Sequence, residues 1–493
     1  MSAGRTQGYA RRRSDVIRLP KCLHNPDIPD GTIVTTASPQ IGRSLGAPAT
    51  EVGLVVTAYL LTLAVLIPLS GWLTRRYGNR VVFLTAIAVF TVASVGCAAS
   101  VNLGMLVAMR VLQGAGGAMM VPVGRTMVLT PAAKEDILRL TSYVVWPGLL
   151  APVVAPLAGG LITTYATWHW MFLINVPLGV IAFAEAWRLV TGRSAAEAEA
   201  GGDGDAPPPF DWAGVLLTCA GLGALTYAAR LVSLPAPPVA QTAAFAAGAA
   251  ALLAGAVVHL RRAPFPLLNL RTLGVPTFRV SQLGGTMYYF VVGAMPFLLP
   301  LMFQEQFGWS PVKSGAVTAF VFAGNVGIKP ATTPLINRFG FRPLLIVSTL
   351  GTAIVVAALG FTTAAVPVAV TAALALASGI TRSTGFTVYT TVGLADMPPA
   401  LMRDANTLAA TSMQLGAGLA VAGATVALRV GGAVTGGGQA AYTVAFCLLA
   451  VVAGGCAAGA LRLDRAAGSA ARRPRPAGAS APAAAAAPSG TAD

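Results

Sequence analysis

The sequence predicts an all-α, polytopic membrane protein. Apolar residues make up 55% of its 493 residues and charged residues only 10%, against roughly 25% charged in a typical soluble domain. Apolar stretches of about 20 residues, the length that crosses a bilayer core, recur along most of the chain. A soluble protein of this size would need a charged shell that this composition cannot supply, and disorder would need a much lower hydrophobicity.

Thirteen stretches have the length and polarity of a membrane helix, and lipid favours helices because their backbone groups bond within the segment. In chain order they lie near residues 51–71, 81–100, 103–123, 142–162, 169–190, 211–231, 239–260, 278–301, 313–335, 343–363, 366–391, 406–428 and 440–461. Short charged or Pro/Gly-containing turns separate them, so we expect one continuous bundle.

The crossing that must precede residue 51 is irregular. Residues 1–29 are polar and basic, and only residues 31–48 are moderately apolar. Two interpretations stay open: an irregular first helix held by its neighbours, or an N-terminal sequence that is not the natural start. At the other end, residues 463–493 are rich in Ala, Pro and Gly and are predicted to form a disordered tail.

Basic residues fall mainly on one side of the predicted bundle. Fifteen Lys and Arg lie in the loops 72–80, 124–140, 188–210, 261–279, 336–342 and 393–405, and four lie on the opposite side. Because Lys and Arg collect in cytoplasmic loops, both termini are expected to be cytoplasmic, in the inner membrane of a bacterium. This asymmetry also accounts for the net charge of +16, and no nucleic-acid partner is expected.

Side chains suited to enzymatic or metal chemistry are scattered. The five cysteines show no C-x-x-C spacing, the three histidines do not cluster, and no G-x-x-x-x-G-K-[ST] phosphate loop occurs. We therefore expect no enzyme activity, no metal and no cofactor, and direct drive by ATP is not expected.

A repeated decapeptide favours a transporter over a generic bundle. Residues 71–80 read GWLTRRYGNR and residues 333–342 read TPLINRFGFR, and both contain L-x-x-R-aromatic-G-x-R. Both fall in a cytoplasmic turn between two predicted helices. Duplicated halves around a central substrate site are the architecture of secondary transporters.

These turns resemble the loop motif of the major facilitator superfamily, and the chain is similar to its fourteen-helix drug:proton antiporter branch over about residues 28–460. In the first turn Arg75 replaces the aspartate of the family, and in the second turn Asn337 does. The resemblance implies a gating role for the matching residues, which are Gly71, Leu73, Arg76, Gly78 and Arg80 in the first copy and Arg338, Gly340 and Arg342 in the second.

Three further segments carry the resemblance. Residues 110–118 (RVLQGAGGA) resemble the fourth-helix motif with its membrane arginine. Residues 147–160 (PGLLAPVVAPLAGG) resemble the fifth-helix antiporter motif, and residues 168–179 (WHWMFLINVPLG) resemble the entry of the sixth helix. Arg110 lies within an apolar span, where a charge needs a cavity or a partner; the alternative is an arginine that reaches an interface. The small residues of the two motifs suit either a gate or ordinary close packing: Gly114, Gly117, Pro156, Gly159 and Gly160.

Asp30, in DGTIV at 30–34, resembles the first-helix aspartate of the branch. The resemblance implies a part in proton coupling, together with Arg110. A carboxylate at membrane depth can be protonated near neutral pH and discharged when hydrated. The alternative is an exposed N-terminal acid.

The implied fold is a major facilitator fold of two six-helix halves plus two extra central helices, with thirteen clear spans and an abnormal first helix. The expected segments are a polar N-terminal segment 1–27, an N-terminal half 28–190, a linker with the two extra helices 191–277, a C-terminal half 278–462 and a tail 463–493. Lys329 is a further membrane charge that reaches the cavity or the cytoplasm. Residues expected to line the substrate cavity are Gln113, Asn325, Arg382, Tyr389 and Gln414.

The expected function is proton-coupled export of small amphipathic compounds by alternating access, with substrate, protons and the lipid bilayer as the partners and the proton gradient as the energy source. No motif in the sequence indicates which substrate is carried or whether a periplasmic adaptor is required. Two alternatives stay open: a proton-linked metabolite transporter or uptake symporter of the same fold, and an inactive paralogue with a defective first helix.

Overall fold

The computed structural model describes residues 27–129, 153–189, 209–232, 237–398, 401–464 and 467. Within these ranges the regular elements are helices and one 3₁₀ turn, Leu270–Gly274. The helices, numbered along the chain, are α1 Asp27–Leu45, α2 Ala49–Tyr77, α3 Asn79–Ala98, α4 Leu103–Leu129, α5 Val153–Tyr165, α6 Trp170–Leu173, α7 Asn175–Leu189, α8 Trp212–Val232, α9 Val239–Arg262, α10 Pro276–Glu305, α11 Pro311–Gly327, α12 Lys329–Phe339, α13 Phe341–Gly360, α14 Val368–Ala395, α15 Met402–Thr435 and α16 Gly438–Leu461.

The chain is a multi-pass membrane protein. In the described part, ten helices are long and apolar enough to cross a bilayer. Except at the one-residue breaks after α6 and α11, helices joined by a described turn run in opposite directions, so these turns gather at two ends of the bundle. We call the end with the turns at Pro48 and Ala99 the Pro48 end, and the end with the turns at Gly78 and Gly340 the Gly78 end.

The irregular first crossing is a single helix. α1 has 19 residues, about 28 Å at 1.5 Å per residue, close to the thickness of a bilayer core. Val34, Ala37 and Ile41 share one face and are fully buried in the largest hydrophobic cluster. α1 is only weakly hydrophobic, and packing on α2 and α10 holds it in place.

The predicted span 313–335 is wrong as a single helix, because α11 ends at Gly327 and α12 starts at Lys329. Pro330 accounts for the break: it has no N–H to donate, and its ring clashes with a carbonyl one turn earlier. The break places Lys329 inside the bundle rather than in the turn at Gly340. The predicted span 142–162 is described only from residue 153 onward.

The two extra helices, α8 and α9, lie at the edge of the bundle. Only 17% of the membrane window of α9 is buried, against 78% for α10 at the centre. α8 packs on α2 of the first half and on α15 of the second half. The extra pair therefore covers one of the two lines along which the halves meet.

Candidate transport site

One line of contact between the halves is built from small residues of α5 and α11. A Cβ atom at Gly160 would lie 2.5 Å from the carbonyl oxygen of Pro311, and one at Gly315 would collide with the carbonyl oxygen of Pro156. Each glycine thus admits the backbone of the opposite helix. These contacts lie toward the Pro48 end, where α5 ends and α11 begins.

Three further contacts join the halves at the same end or at mid-helix. Gln304 Nε2 donates to the carbonyl of Thr36 at 3.0 Å, which connects α10 to α1. A Cβ at Gly53 would lie 2.8 Å from Val421, and one at Gly418 3.0 Å from Leu61, so α2 and α15 also touch closely. Together with the α5–α11 contact, they close the Pro48 end of the structure.

Arg110 is held inside the first half. Its side chain is 0% exposed, and its guanidinium lies over Tyr59, 4.5 Å from the ring centroid. Nε donates to the carbonyl of Val55 at 3.3 Å, and Nη1 donates to Gln113 Oε1 at 2.7 Å. A charge at the centre of a membrane helix costs about 2.5–3.5 kcal/mol on insertion scales, and these contacts are what offsets it here.

Gln113 is the partner that orients Arg110. Its amide nitrogen donates to Ser94 Oγ at 2.8 Å while its oxygen accepts from Arg110, and the side chain is 0% exposed. The structure therefore places Gln113 in a buried network of α3 and α4, away from any open surface in this state. Its role in the substrate cavity stays a prediction.

The glycines of α4 allow the first half to pack around Arg110. A Cβ at Gly114 would lie 2.9 Å from the carbonyl oxygen of Tyr59, and one at Gly116 2.8 Å from the backbone nitrogen of Phe90. Gly117 and Gly159 are buried as well. Gly114 thus brings α2, which carries Val55 and Tyr59, within reach of the arginine.

The two copies of the repeated turn are structurally equivalent. Gly78 and Gly340 separate α2 from α3 and α12 from α13, with φ of 81° and 86°. Positive φ favours glycine, which has no Cβ to clash. In each copy the last arginine binds the end of its half: Arg80 Nη2 donates to the Trp187 carbonyl at 3.2 Å, and Arg342 Nη2 donates to the Leu461 carbonyl at 2.9 Å.

The other residues of the loop motif are exposed, except Leu73, which is partly buried. Gly71 has open space where a Cβ would stand, and Arg76 and Arg338 are exposed at the Gly78 end. Their gating roles stay predictions. The structure does show what Arg80 and Arg342 bind. Each lies at the C-terminal carbonyls of a helix, where the helix dipole stabilises a cation.

The second half contributes two cations to a wall formed by α10, α11, α12 and α14. Arg382 Nη1 donates to the Val292 carbonyl at 3.5 Å, and Lys329 Nζ donates to Thr387 Oγ1 at 3.0 Å. Tyr389 is buried against Gly284 and Tyr288 of α10. Asn325 and Gln414 are partly buried on α11 and α15, and no contact in this region brings them to Arg382.

Asp30 lies at the fourth position of α1, and its side chain is outside the described residues. The structure therefore gives no partner for it, and its role in proton coupling stays a prediction. Among the described side chains, no group of three or more His, Cys, Asp or Glu has metal-site geometry.

Sequence reasoning missed a polar cluster that ties down the extra helices. Asp211 accepts from His259 Nε2 at 2.6 Å and from the backbone nitrogens of Gly214 and Leu267 at 2.8 and 2.9 Å. Burial raises the pKa of Asp211, but these hydrogen bonds outweigh it, so the pKa lies below its ordinary value of 3.8. The cluster holds together the start of α8, the end of α9 and the segment at Leu267 that follows α9.

An ion pair at the opposite end joins the extra pair to the first half. Arg230 Nη2 of α8 lies 3.2 Å from Glu51 Oε2 of α2. The two residues are 179 positions apart in the chain, so no local sequence pattern pointed to the pair.

Comparisons with known proteins agree with this architecture. A family model described as Major Facilitator Superfamily matches residues 29–421. The chain belongs to the major facilitator superfamily. Two relatives carry the provisional name multidrug resistance protein MdtD. One, from Pectobacterium carotovorum, is 36% identical over 400 residues, covering 81% of this chain and 84% of the relative. The other, from Salmonella paratyphi A, is 34% identical over 398 residues, covering 80% and 81%.

Solved superfamily structures share the fold at low sequence identity. A crystal structure of a point mutant of the nucleoside transporter NupG superposes with a TM-score of 0.62 at 12% identity, covering 91% of this chain and 99% of that one. The xylose transporter XylE from E. coli, in an inward open conformation, gives 0.57 at 15% identity, covering 89% and 95%. The protein is thus a transporter of the major facilitator superfamily.

Proposed function

We propose that this transporter exports small amphipathic compounds in exchange for protons, by alternating access, from the inner membrane of a bacterium with both termini in the cytoplasm. The observation that carries the proposal is the closed Pro48 end, where Gly160 and Gly315 each admit the backbone of the opposite half. Contacts of this kind are made by backbone and small side chains alone, so the halves can separate without unpairing a buried charge.

The distribution of Lys and Arg between the two ends indicates which end faces the cytoplasm. The Gly78 end carries the turns with most Lys and Arg, and it faces the cytoplasm under the positive-inside rule. A structure closed at the Pro48 end is then closed on the side away from the cytoplasm. In the inward-facing state that we propose, substrate enters from the cytoplasm or the inner leaflet.

Proton coupling is proposed for Asp30 and Arg110. In a two-state transporter, protons and substrate both shift the equilibrium between the inward-facing and outward-facing states. If they favour opposite states, the binding of one weakens the binding of the other. Arg110 bonds to the α2 backbone at Val55, which belongs to the helix that also meets α15 of the other half. A change of charge near Arg110 would thus reach the contact between α2 and α15 through a single helix, α2. The names of the MdtD relatives support multidrug efflux as the direction and class of transport.

Purified protein in liposomes with an imposed pH difference tests this proposal. We expect a fluorescent efflux substrate to accumulate in vesicles that are acidic inside, and dissipation of the gradient to stop it. Accumulation only when substrate and protons move in the same direction would favour an uptake symporter, and no proton-dependent transport of any solute would favour an inactive paralogue.

A further inference from the structure

The charged side chains that the structure describes inside the bundle are all cations. Every carboxylate whose side chain is described lies within about four residues of a helix end. Arg110 and Arg382 lie in the interior of long helices, and Lys329 lies at the break between α11 and α12. Electrostatically, the interior of the described bundle is suited to negative charge.

Arg110 is already accommodated, but the two cations of the second half are not neutralised. Arg110 is 0% exposed and bound to Gln113 and Val55. Arg382 and Lys329 are both partly exposed, and no described carboxylate lies within 4.0 Å of either one. Their hydrogen bonds go to one carbonyl and one hydroxyl, which leaves donors of both groups available to a ligand.

Arg382 and Lys329 belong to the same wall. Arg382 contacts α10 and α11, and Lys329 contacts α14 at Thr387. Arg382 and Thr387 are five residues apart on α14, about 7.5 Å along the helix. The Lys329 contact at Thr387 thus lies little more than one helical turn from Arg382 along α14. Two cations on one wall can hold one multivalent anion or two successive positions along its path.

Aromatic rings flank both cations. The Arg382 guanidinium lies 5.5 Å from the centroid of Phe322, and Lys329 Nζ lies 5.5 Å from the centroid of Phe386. Phe386 also packs on Tyr289, with ring centroids 5.3 Å apart. Phe322 and Tyr289 are buried, and Phe386 is partly exposed. A ligand bound here therefore meets positive charge beside the ring of Phe386.

We propose that Arg382 and Lys329 form an anion-binding subsite, so that the exported compounds are amphipathic anions with an aromatic or apolar body. The body lies against Phe386, and the acidic group is held by the two cations. This inference rests on the export function proposed above and specifies its substrate class. An anionic lipid headgroup shares the same chemistry, and the experiment separates the two sources.

Binding and transport are measured with two dyes that share a xanthene ring: fluorescein, an anion, and rhodamine 6G, a cation. The full-length protein is placed in phosphatidylcholine nanodiscs for fluorescence anisotropy and in liposomes with a pH difference for transport. Test variants are Arg382→Met and Lys329→Met, with Arg382→Lys and Lys329→Arg as charge-retaining partners. Lys313→Met, at a cation that lies over Trp309 at the Pro48 end, is the matched control.

We expect fluorescein to bind more tightly than rhodamine 6G, and each neutral variant to weaken fluorescein binding at least tenfold, while Lys313→Met binds within about threefold of the wild type. Each charge-retaining variant should lose less affinity for fluorescein than the neutral variant at the same position. Unchanged binding in both neutral variants, or tighter binding of rhodamine 6G, overturns the subsite. Loss of fluorescein binding when phosphatidylglycerol is added to the nanodiscs assigns the site to a lipid headgroup and also overturns the substrate class.

The transport arm separates the subsite from the export function. Fluorescein that binds at Arg382 and Lys329 but is never transported contradicts export and leaves the subsite standing. Proton-driven transport of rhodamine 6G without fluorescein binding contradicts the subsite and leaves export standing.

Discussion

Gly160 of α5 lies so close to Pro311 of α11 that a methyl group on its α-carbon would stand 2.5 Å from the Pro311 carbonyl oxygen. The contact joins the two halves of the transporter at the Pro48 end, and Gly315 mirrors it against Pro156. A close backbone approach is the use of small residues in membrane helices. In this protein it forms a seam that can close tightly and still separate.

Gly160→Leu should prevent the Pro48 end from closing. The added side chain would meet the backbone of α11 rather than a flexible side chain, so α11 as a whole would have to move. We expect transport in liposomes to fall at least tenfold while the protein still inserts and purifies. Gly454→Leu is the control, because the space at Gly454 is open; equal transport by the two variants would contradict the seam.

Arg110→Met should abolish proton-linked transport. The substitution keeps length and removes the charge, and it leaves the Gln113 oxygen without its short hydrogen bond from Nη1. Loss of a partner for a buried polar group costs about 1–3 kcal/mol, so the melting temperature should also fall. Gln113→Leu is the matched variant: it removes the partner, keeps the arginine and should retain part of the transport. Wild-type rates in Arg110→Met would refute a role for the charge.

Asp211→Asn should loosen the attachment of α8 and α9 in a pH-dependent way. The pKa of Asp211 is lowered in the folded state, so its stabilisation is fully present above about 3.8 and is lost as the pH falls through the lower folded value. We expect the variant to melt below the wild type at pH 7, and the difference to shrink as the pH is lowered below 4. Thermal unfolding in detergent measures it; a difference independent of pH would show that the charge of Asp211 is irrelevant.

Arg80→Gln and Arg342→Gln should destabilise the two halves by similar amounts. Each arginine donates to a carbonyl at the end of the last helix of its half, a contact of about 0.3–1 kcal/mol. Because the sites are far apart, the effects in the double variant should add. Unfolding in denaturant gives the values, and strong non-additivity would mean that the two turns communicate.

The sequence predicted the helical class and the order of the spans because membrane helices must be long and apolar. It also singled out Arg110, since a charge within an apolar span is visible without any structure. The break at Lys329 was missed, although Pro330 is the local signal for it. The apolar stretch 31–48 lies a few residues later than α1, because polar residues such as Asp27 join a helix that neighbouring helices support.

Pairings between distant residues could not be predicted from local patterns. Small residues at 156–160 indicate close packing, but nothing in their spacing names Pro311 and Gly315 as the partners. The contacts of Asp211 with His259, and of Glu51 with Arg230, likewise depend on how α8 and α9 lie against the rest of the bundle.

The central claim is that the two halves close one end at a time. Spin-label distances in liposomes test it most directly, with one pair at Ser44 and Gln306 across the Pro48 end and another at the exposed Tyr77 and Phe339 at the Gly78 end, in a cysteine-free background. When substrate is added or the pH is changed, we expect the first distance to lengthen as the second shortens. Two distances that stay constant under every condition, or that change together in the same direction, would contradict it.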